Sequence, residues 1–302
     1  MAATAVHLPV PMRLHLVDGT YELFRAHFSP RPGHTAPDGM DAKATVGIMS
    51  SLLALLHDKA EAVSHIAVAF DNPIRSFRNE LFAGYKTEEG VPPELLAQFD
   101  LAEEAVRALG VTVWSMKDHE ADDALATAAA RWAPQVEQVR LLTPDKDLGQ
   151  CVRGDKVVQV DRRQEKEFDE DAVRAKFGVP PASIPDLLAL VGDDADGIPG
   201  LPGFGEKGAS SLLAAYGHLE AIPPDASGWT VRPRGADKLA ATLREHRKEA
   251  LLYRKLATVV TDAPLKETLA QLQWAGVPRA PFESLCDRLG LSTLKSRPKR
   301  WA

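Results

Sequence analysis

The stretch 14–19 reads LHLVDG: a short apolar run, then an acid, then a turn-forming glycine. Four more short apolar runs bounded by turn residues or acids follow along the chain, at 65–70, 111–114, 139–142 and 157–160. Runs of this length and composition are typical of buried β-strands. The sequence therefore predicts five strands, of which 14–17 is the first.

Apolar residues at helical spacing occur between the early strands, and they are the only regular pattern in the later part of the chain. The predicted helices are 44–60, 95–109, 122–132, 187–191, 209–216, 237–256 and 282–289. Strands that alternate with helices indicate an α/β domain with a mainly parallel sheet. We therefore expect an α/β core in residues 1–185 and a smaller helical part in residues 186–302.

The composition is that of an ordinary globular protein, with 302 residues, a net charge of −6 and 45% hydrophobic residues. Cys151 and Cys286 are too few for a disulfide framework, and no Cys/His pair has the spacing of zinc ligands. The predicted compartment is the reducing cytoplasm. Because no apolar run approaches the ~18 residues of a membrane span and no signal-like start is present, we expect no membrane partner.

Acids follow four of the five predicted strands. They are Asp18, Asp71, Glu120, Asp122, Asp123, Asp145 and Asp147. A single Asp after a strand is usually a turn former or a helix N-cap, but the same feature after four strands is harder to explain in that way. In an open parallel sheet these strand ends share the edge where ligands bind. Clustered carboxylates repel one another unless cations lie among them, so the pattern predicts Mg²⁺ or Mn²⁺.

The segment 120–123 also opens a predicted helix, where acids can simply complement the helix dipole. Glu120 and Asp123 share a face of that helix, whereas Asp122 points about 100° away from Asp123. The alternative that one of the three acids supports the site without binding a metal ion directly therefore stays open. Asp161 ends the fifth strand but precedes the charged run 162–171, which we interpret as a solvated edge.

Residues 192–208 read GDDADGIPGLPGFGEKG and form the densest motif of the chain. The glycines fit a dinucleotide fingerprint, but a Pro-rich turn precedes them instead of a strand, and Glu206 prevents the Gly-Lys pair of a phosphate-binding P-loop. The spacing of an EF-hand is also missing. What remains is a helix, a glycine-rich hairpin and a second helix, whose exposed backbone N–H groups would bind phosphates without reading bases.

Together these motifs resemble the 5′-nuclease family of structure-specific nucleases, which includes flap endonucleases and the amino-terminal domain of bacterial DNA polymerase I. The similarity runs from about residue 13 to about residue 291. The matching motifs are LVDG at 16–19, FD at 70–71, SFR at 76–78, GYK at 84–86, EADD at 120–123, DKDL at 145–148, GDDADGIPG at 192–200 and GFGEK at 203–207.

The resemblance implies a PIN-like α/β fold and a set of site residues. The implied metal ligands are Asp18, Asp71, Glu120, Asp122, Asp123, Asp145, Asp147, Asp193 and Asp196. Lys86 and Arg78 would be catalytic and would face the scissile phosphate, with Lys86 at the base of a helical arch near 85–101. At the position where the family usually has an Arg in this arch, the chain has Glu89, which can pair with Lys86 or repel a phosphate.

The resemblance also interprets the hairpin as a helix-three-turn-helix near 187–216 that grips duplex DNA, often around a K⁺ ion. The implied DNA-binding residues are Gly200, Gly203, Phe204, Gly205, Lys207 and Gly208. Subtracting the nine implied metal ligands from the charge of −6 leaves +3 for the rest of the chain. Residues 232–255 alone hold eight Lys and Arg against three acids, so we expect a basic surface beside the hairpin.

The implied function is hydrolysis of DNA phosphodiesters at 5′ flaps and 5′ ends, as a flap endonuclease and 5′-3′ exonuclease with two metal ions. The expected partner is branched or nicked DNA with a free 5′ end, at the bacterial nucleoid. We also expect a monomeric, stand-alone nuclease that could work with a polymerase or ligase. Two alternatives stay open: a related metal-dependent ribonuclease, and a catalytically silent protein that binds DNA junctions.

Overall fold

A six-stranded sheet forms the centre of the amino-terminal part in the computed structural model, which describes residues 12–302. The strands are β1 (Arg13–Asp18), β2 (His65–Asp71), β3 (Thr112–Met116), β4 (Gln138–Leu142), β5 (Val157–Asp161) and β6 (Lys166–Phe168). Their order is β3-β2-β1-β4-β5-β6, and β1 to β5 are parallel. The predicted α/β class with a mainly parallel sheet is confirmed.

The sixth strand lies in the charged run that the sequence indicated as a solvated edge. β6 pairs antiparallel with β5 at the rim of the sheet, and its Lys166 and Glu167 are exposed. Glu167 binds Arg140 of β4 at 2.7 Å. Charged side chains are common on edge strands because they discourage further pairing, and such a strand has no apolar pattern to reveal it.

Helices cover both faces of the sheet and continue to the carboxyl terminus. They are α1 (Gly19–His27), α2 (Lys43–Leu56), α3 (Arg78–Leu81), α4 (Pro93–Leu96), α5 (Phe99–Ala108), α6 (Ala121–Trp132), α7 (Glu170–Phe177), α8 (Ile184–Val191), α9 (Glu206–Tyr216), α10 (Ala236–Glu245), α11 (Arg247–Ala257) and α12 (Arg279–Arg288). The core on one face includes α1, α2, α5 and α12, and α6 packs on the other. A third apolar core joins α8 to α11. No helix within residues 12–302 is long and apolar enough to cross a membrane.

Two predicted helices are each divided in two, and the predictions of single helices over 95–109 and 237–256 are wrong. The first breaks at Gln98, whose buried Oε1 accepts hydrogen bonds from the backbone N–H groups of Ala44 (3.0 Å) and Thr45 (3.1 Å) at the start of α2. The second breaks at His246. Gln98 is needed as a cap for another helix, which local periodicity does not reveal.

The stretch 85–101, where the resemblance implied a helical arch, contains little helix. Residues 85–92 are turns and irregular backbone, and only α4 and the first residues of α5 are helical. A helix can begin at Pro92 or Pro93, but a helix that starts earlier cannot run through them. Proline lacks the backbone N–H that would donate to the carbonyl group four residues earlier. The segment is a loop over the sheet edge followed by one helical turn.

Candidate metal centre

The site lies at the carboxyl edge of the sheet, where β1 separates β2 from β4. β1 ends at Asp18, β2 ends at Asp71, and Asp145 follows β4. A cleft of about 480 Å³ over this edge is lined by these three acids together with Asp122 and Lys86. Strand order reverses at this point of the sheet, and the crevice so created is where open α/β sheets bind ligands.

Two of these carboxylates also organise the backbone around them. Asp18 caps α1 by accepting a hydrogen bond from the Tyr21 N–H at 2.8 Å, and its other oxygen accepts one from Thr143 Oγ1 at 3.0 Å. Asp71 accepts a hydrogen bond from the Ala121 N–H at 2.7 Å, at the start of α6. These carboxylates can therefore accept the hydrogen bonds and still coordinate a metal ion, because each carboxylate oxygen has more than one lone pair.

A second group of acids lies beside the first and comes from two distant loops. Asp147 follows β4, whereas Asp193 and Asp196 lie in the turn after α8, and each offers an oxygen within 4.8 Å of the others. Asp147 Oδ1 is buried without a hydrogen-bond partner. A buried acceptor left unpaired needs an explanation, and a hard divalent cation with oxygen ligands is the group that these three carboxylates fit.

The raised pKa values of the acids show that their ionised forms are destabilised when no cation is bound. Burial raises the pKa of Asp18 to about 7, and the charges of Asp71 and Asp145 add to the rise. Burial and the charge of Asp145 also hold the pKa values of Asp122 and Asp147 well above their ordinary range. Without a cation such a cluster takes up protons, so the site favours metal ions.

Lys86 links Glu120 to the second group of acids. Its Nζ lies 3.0 Å from Glu120 Oε2 and 3.0 Å from Asp196 Oδ1, and the Tyr85 hydroxyl lies 3.2 Å and 3.3 Å from the same two side chains. Burial alone would lower the pKa of Lys86, but these two charges raise it well above its ordinary value. Glu89 is exposed and lines the cleft, and Lys86 pairs with Glu120 and Asp196 instead of with Glu89, so of the two alternatives for Glu89 the repulsion of a phosphate stays a prediction.

The structure corrects the expected position of Arg78. Its side chain is 2% exposed and donates to both oxygens of Asp123 at 2.8 Å, to Leu256 O at 2.8 Å and to Thr258 O at 2.9 Å. The guanidinium also lies 3.4 Å from Glu120. Because its donors are all directed to these partners, Arg78 does not face the cleft where a scissile phosphate would bind.

Asp123 is likewise withdrawn from the metal site that the resemblance implied for it. Its carboxylate is fully buried and accepts hydrogen bonds from Arg78, from the Glu120 N–H at 3.0 Å and from the Val260 N–H at 2.9 Å. Of the three acids that open α6, Asp123 therefore has the supporting role. Glu120 faces Lys86, and Asp122 faces the cleft.

Residues 256–263, the strap, comprise the last two residues of the basic helix α11 and the six that follow it, and they are tied to the core by side chains that the sequence did not single out. Gln150 donates to Ala257 O at 3.0 Å and accepts from the Val259 N–H at 3.1 Å. Thr127 accepts from the Ala263 N–H at 3.0 Å. The strap therefore connects the helical part to α6 and to the loop after β4, which both carry site acids.

The glycine hairpin packs directly on the site. Gly197 has a φ of 71°, and a Cβ there would lie 2.1 Å from the carbonyl oxygen of Gly84, so only glycine lets the turn approach the base of the loop at 85–92. Gly203, Gly205 and Lys207 are exposed and Gly208 is half-buried. Gly200 and Phe204 are buried, which corrects their expected contact with DNA, since both pack inside the helical part.

Comparison with known families divides the chain into two consecutive matches. Residues 13–178 match the model described as the 5′-3′ exonuclease, N-terminal resolvase-like domain. Residues 179–280 match the model described as the 5′-3′ exonuclease, C-terminal SAM fold. The two matches together span the sheet, the site acids and the glycine hairpin.

Among curated proteins, the chain is 36% identical over 289 residues to DNA polymerase I of Mycobacterium leprae, covering 94% of this chain and 31% of that protein. It is 34% identical to DNA polymerase I of Bacillus caldotenax, covering 93% and 32%. The chain thus spans about a third of the length of these relatives.

Solved structures with the same fold include one with bound metal ions and one in complex with DNA. The T5 5′-exonuclease with bound zinc has a TM-score of 0.63 at 21% identity, covering 81% of this chain and 89% of that one. The catalytic core of Rad2 in complex with DNA substrate has a TM-score of 0.60 at 14% identity, covering 95% and 91%.

Proposed function

The chain belongs to the 5′-3′ exonuclease family, and we propose from this premise that it hydrolyses phosphodiester bonds of DNA at 5′ flaps and 5′ ends. The observation that carries the proposal is the pair of carboxylate groups at the edge of the sheet, one of them with the orphaned oxygen of Asp147, beside the ammonium of Lys86. Their arrangement suits a reaction in which a negatively charged phosphodiester must be bound among acids.

We assign the first metal position to Asp18, Asp71, Asp122 and Asp145, and the second to Asp147, Asp193 and Asp196. When bound there, two Mg²⁺ or Mn²⁺ ions would supply an activated water and neutralise charge on the phosphodiester. Glu120 would hold Lys86 at the boundary of the two positions, and Asp123 would hold Arg78 and the start of α6.

Lys86 is the proposed catalytic side chain. Its ammonium is preorganised between Glu120 and Asp196, on the wall of the cleft, so it can donate to a phosphoryl oxygen without a large rearrangement. Preorganised cations of this kind stabilise charge that develops in the transition state. The buried Tyr85 donates its hydroxyl group to the same two acids and so helps to orient them.

The helical part in residues 186–302 is proposed to bind the duplex. Exposed Gly203 and Gly205, which precede α9, and Lys207 in its first turn can contact phosphates through backbone N–H groups and one ammonium, and a K⁺ ion would accompany these contacts. Such contacts fix position on a duplex without reading sequence. This duplex grip favours nicked or branched DNA over single-stranded RNA as the substrate.

We propose a monomer that acts on chromosomal DNA in the cytoplasm, in repair or replication, where a polymerase or ligase would use its products. The two cysteines, Cys151 and Cys286, are buried free thiols, which suits a reducing compartment.

One experiment tests the proposal and its alternatives. A 5′-labelled flap, a nicked duplex, a hairpin and a single-stranded RNA are each incubated with Mg²⁺, Mn²⁺ or EDTA. We expect cleavage of the flap and the nicked duplex with metal only. Asp145→Asn should abolish cleavage and keep DNA binding, whereas the exposed matched control Asp155→Asn should retain both.

The outcomes separate the alternatives. Preferred cleavage of the RNA would establish a ribonuclease, and metal-independent binding without cleavage would establish a silent junction-binding protein. Wild-type turnover by Asp145→Asn would refute the proposed metal site.

A further inference from the structure

Lys86, the proposed catalytic side chain, belongs to a loop that separates two cavities. Residues 87–90 of this loop are all exposed, and the acidic cleft lies on one side of them. A second cavity, of about 530 Å³, is lined by Asn79 and shares Thr87 and Glu89 of the loop with the cleft. This segment therefore buries little apolar surface, and hydrogen bonds are needed to hold its backbone in one position.

The peptide groups of Lys86 are hydrogen-bonded on both sides of the residue. The backbone N–H of Lys86 donates to the carbonyl oxygen of Asp196 at 3.0 Å. The Nδ2 amide nitrogen of Asn79 donates to the carbonyl oxygen of Lys86 at 2.9 Å and to that of Tyr85 at 3.4 Å. Asn79 lies on the short helix α3, so a side chain from outside the loop holds the loop at Lys86.

The oxygen end of the same amide leads to the partner of the Lys86 ammonium. Asn79 Oδ1 accepts a hydrogen bond from the Ser76 N–H at 2.9 Å. Ser76 Oγ in turn donates to Glu120 Oε1 at 2.7 Å, and the other oxygen of Glu120 binds the ammonium of Lys86. One amide thus contacts the backbone of Lys86 directly and the carboxylate that holds its side chain through one intermediate residue.

The orientation of the Asn79 amide follows from its partners. The end that faces two carbonyl groups must be the donor, and the end that faces a backbone N–H must be the acceptor. An aspartate in the same place keeps the acceptor and loses the donor. Substitution of Asn79 can therefore separate the contact with Ser76 from the contact with the loop.

The backbone of Lys86 matters because its side chain is a mobile point charge on a flexible four-carbon stem. The ion pairs with Glu120 and Asp196 hold the ammonium end, and the hydrogen bonds to the backbone hold the other end. Displacement of a reacting group by about 1 Å can lower a rate about 100-fold. A loop held by few contacts is the place where such a displacement would begin.

We propose that Asn79 is a positioning residue for Lys86, which fixes the backbone of the loop so that the ammonium stays at the wall of the cleft. The inference rests on the proposed function, and it adds to that function a residue outside the set of acids. Asn79 acts on the reaction through Lys86, by two donated hydrogen bonds. Its substitution should therefore change the rate of the chemical step and leave duplex binding as it is.

The first test compares Asn79→Asp and Asn79→Ala with Glu80→Gln, an exposed neighbour on the same helix, on a 5′ flap with Mg²⁺. Both variants of Asn79 should lower kcat about 10- to 100-fold at unchanged KM, since each loses the donor to the loop. Glu80→Gln should leave kcat and KM unchanged. A role limited to the turn at Ser76 would instead spare Asn79→Asp, which keeps the acceptor.

A double-mutant cycle shows whether Asn79 acts through Lys86. Single-turnover rates are measured for Asn79→Asp, Lys86→Ala and the double variant with protein in excess. Once Lys86 is absent, Asn79→Asp should lower the rate by no more than about two-fold, whereas independent effects would multiply.

Hydrogen exchange gives a second readout that needs neither substrate nor metal. The backbone N–H of Lys86 should lose protection in Asn79→Asp relative to wild type, and the sheet should keep its protection. Faster exchange throughout the sheet would mean that Asn79 supports the fold as a whole, and it would overturn the inference.

Three further results would also overturn it. They are a wild-type kcat for Asn79→Asp, an equal loss for Glu80→Gln, and a double variant in which the two losses multiply. Failure of the proposed function is a different result, in which wild type would cut none of the DNA substrates with Mg²⁺ and the inference would fall with it.

Discussion

Asp122 and Asp123 are neighbours in the sequence, but their carboxylates lie in different surroundings. Asp123 has both oxygens bound by Arg78 and by two backbone N–H groups. Asp122 lines the cleft, and burial and the charge of Asp145 raise its pKa well above the ordinary value. At the residue scale, one acid therefore stabilises the fold and the other is available for a metal ion.

This difference gives a prediction for the pair of amide variants. Asp123→Asn should leave the number of bound Mn²⁺ ions unchanged and lower the free energy of unfolding by about 3 to 5 kcal/mol, because Arg78 loses the charge that compensates it in a buried site. Asp122→Asn should weaken Mn²⁺ binding without loss of stability. Calorimetric Mn²⁺ titration and urea unfolding of both variants measure the two effects.

The two variants serve as each other's control, since they make the same chemical change one residue apart. If Asp123→Asn bound one Mn²⁺ ion fewer than wild type and had the same free energy of unfolding, Asp123 would be a metal ligand and the assignment made here would be wrong.

At the scale of elements, the hairpin between α8 and α9 depends on glycines for different reasons. Gly200 has a φ of 69°, and a Cβ there would lie 2.5 Å from the carbonyl group of Val191. Gly205 has a φ of −111°, and nothing lies within 4 Å of its Cβ position. Gly200 is therefore needed for the shape of the hairpin, whereas Gly205 keeps a surface open for a ligand.

We predict that Gly200→Ala destabilises the protein by about 1 to 3 kcal/mol, through backbone strain and the clash with Val191. Binding of nicked duplex DNA should weaken as well. Gly205→Ala, the matched control, should leave the thermal unfolding temperature unchanged within error. Thermal unfolding and a binding titration at two salt concentrations check both variants, and equal stability of the two would contradict the assigned role of Gly200.

At the scale of the whole molecule, the sheet topology and the helical part together gather acids that burial keeps away from water. The raised pKa of Asp18, about 7 against an ordinary 3.8, means that the metal-free folded protein binds more protons than the unfolded chain between these values. The contribution of Asp18 to the free energy of unfolding is therefore largest below about pH 4 and falls as the pH rises towards 7. Asp122 and Asp147 act in the same direction.

We therefore predict that, in EDTA, the contribution of these acids makes Tm fall as the pH rises from about 4 to 7. Mg²⁺ should reverse most of the fall, because a ligand that binds only the folded state stabilises it. Asp18→Asn should reduce the pH dependence in EDTA, whereas exposed Asp155→Asn should not. A pH series of thermal unfolding curves gives the answer, and identical slopes for wild type and Asp18→Asn would contradict the prediction.

Several features of the fold and of the site were predictable from the sequence. Three apolar runs are followed by the acids Asp18, Asp71 and Asp145. This pattern was sufficient to indicate a parallel sheet whose carboxyl edge binds a ligand, because apolar runs predict buried strands and parallel strands end at the same edge. The order of motifs identified the family. The edge strand β6 and the helices α1, α3 and α7 were missed, because these short segments have no apolar periodicity strong enough to distinguish them from loops.

The sequence by itself thus determined the class of fold, the family and the edge at which the acids meet. Only the tertiary structure decided which acids meet, since Asp147 lies beside Asp193 and Asp196 across about 50 residues of chain. It also decided that Arg78 and Asp123 neutralise each other in the interior. The physical reason is that spacing along the chain specifies which residues can share a strand or a helix face, whereas burial and charge pairing depend on contacts between distant segments.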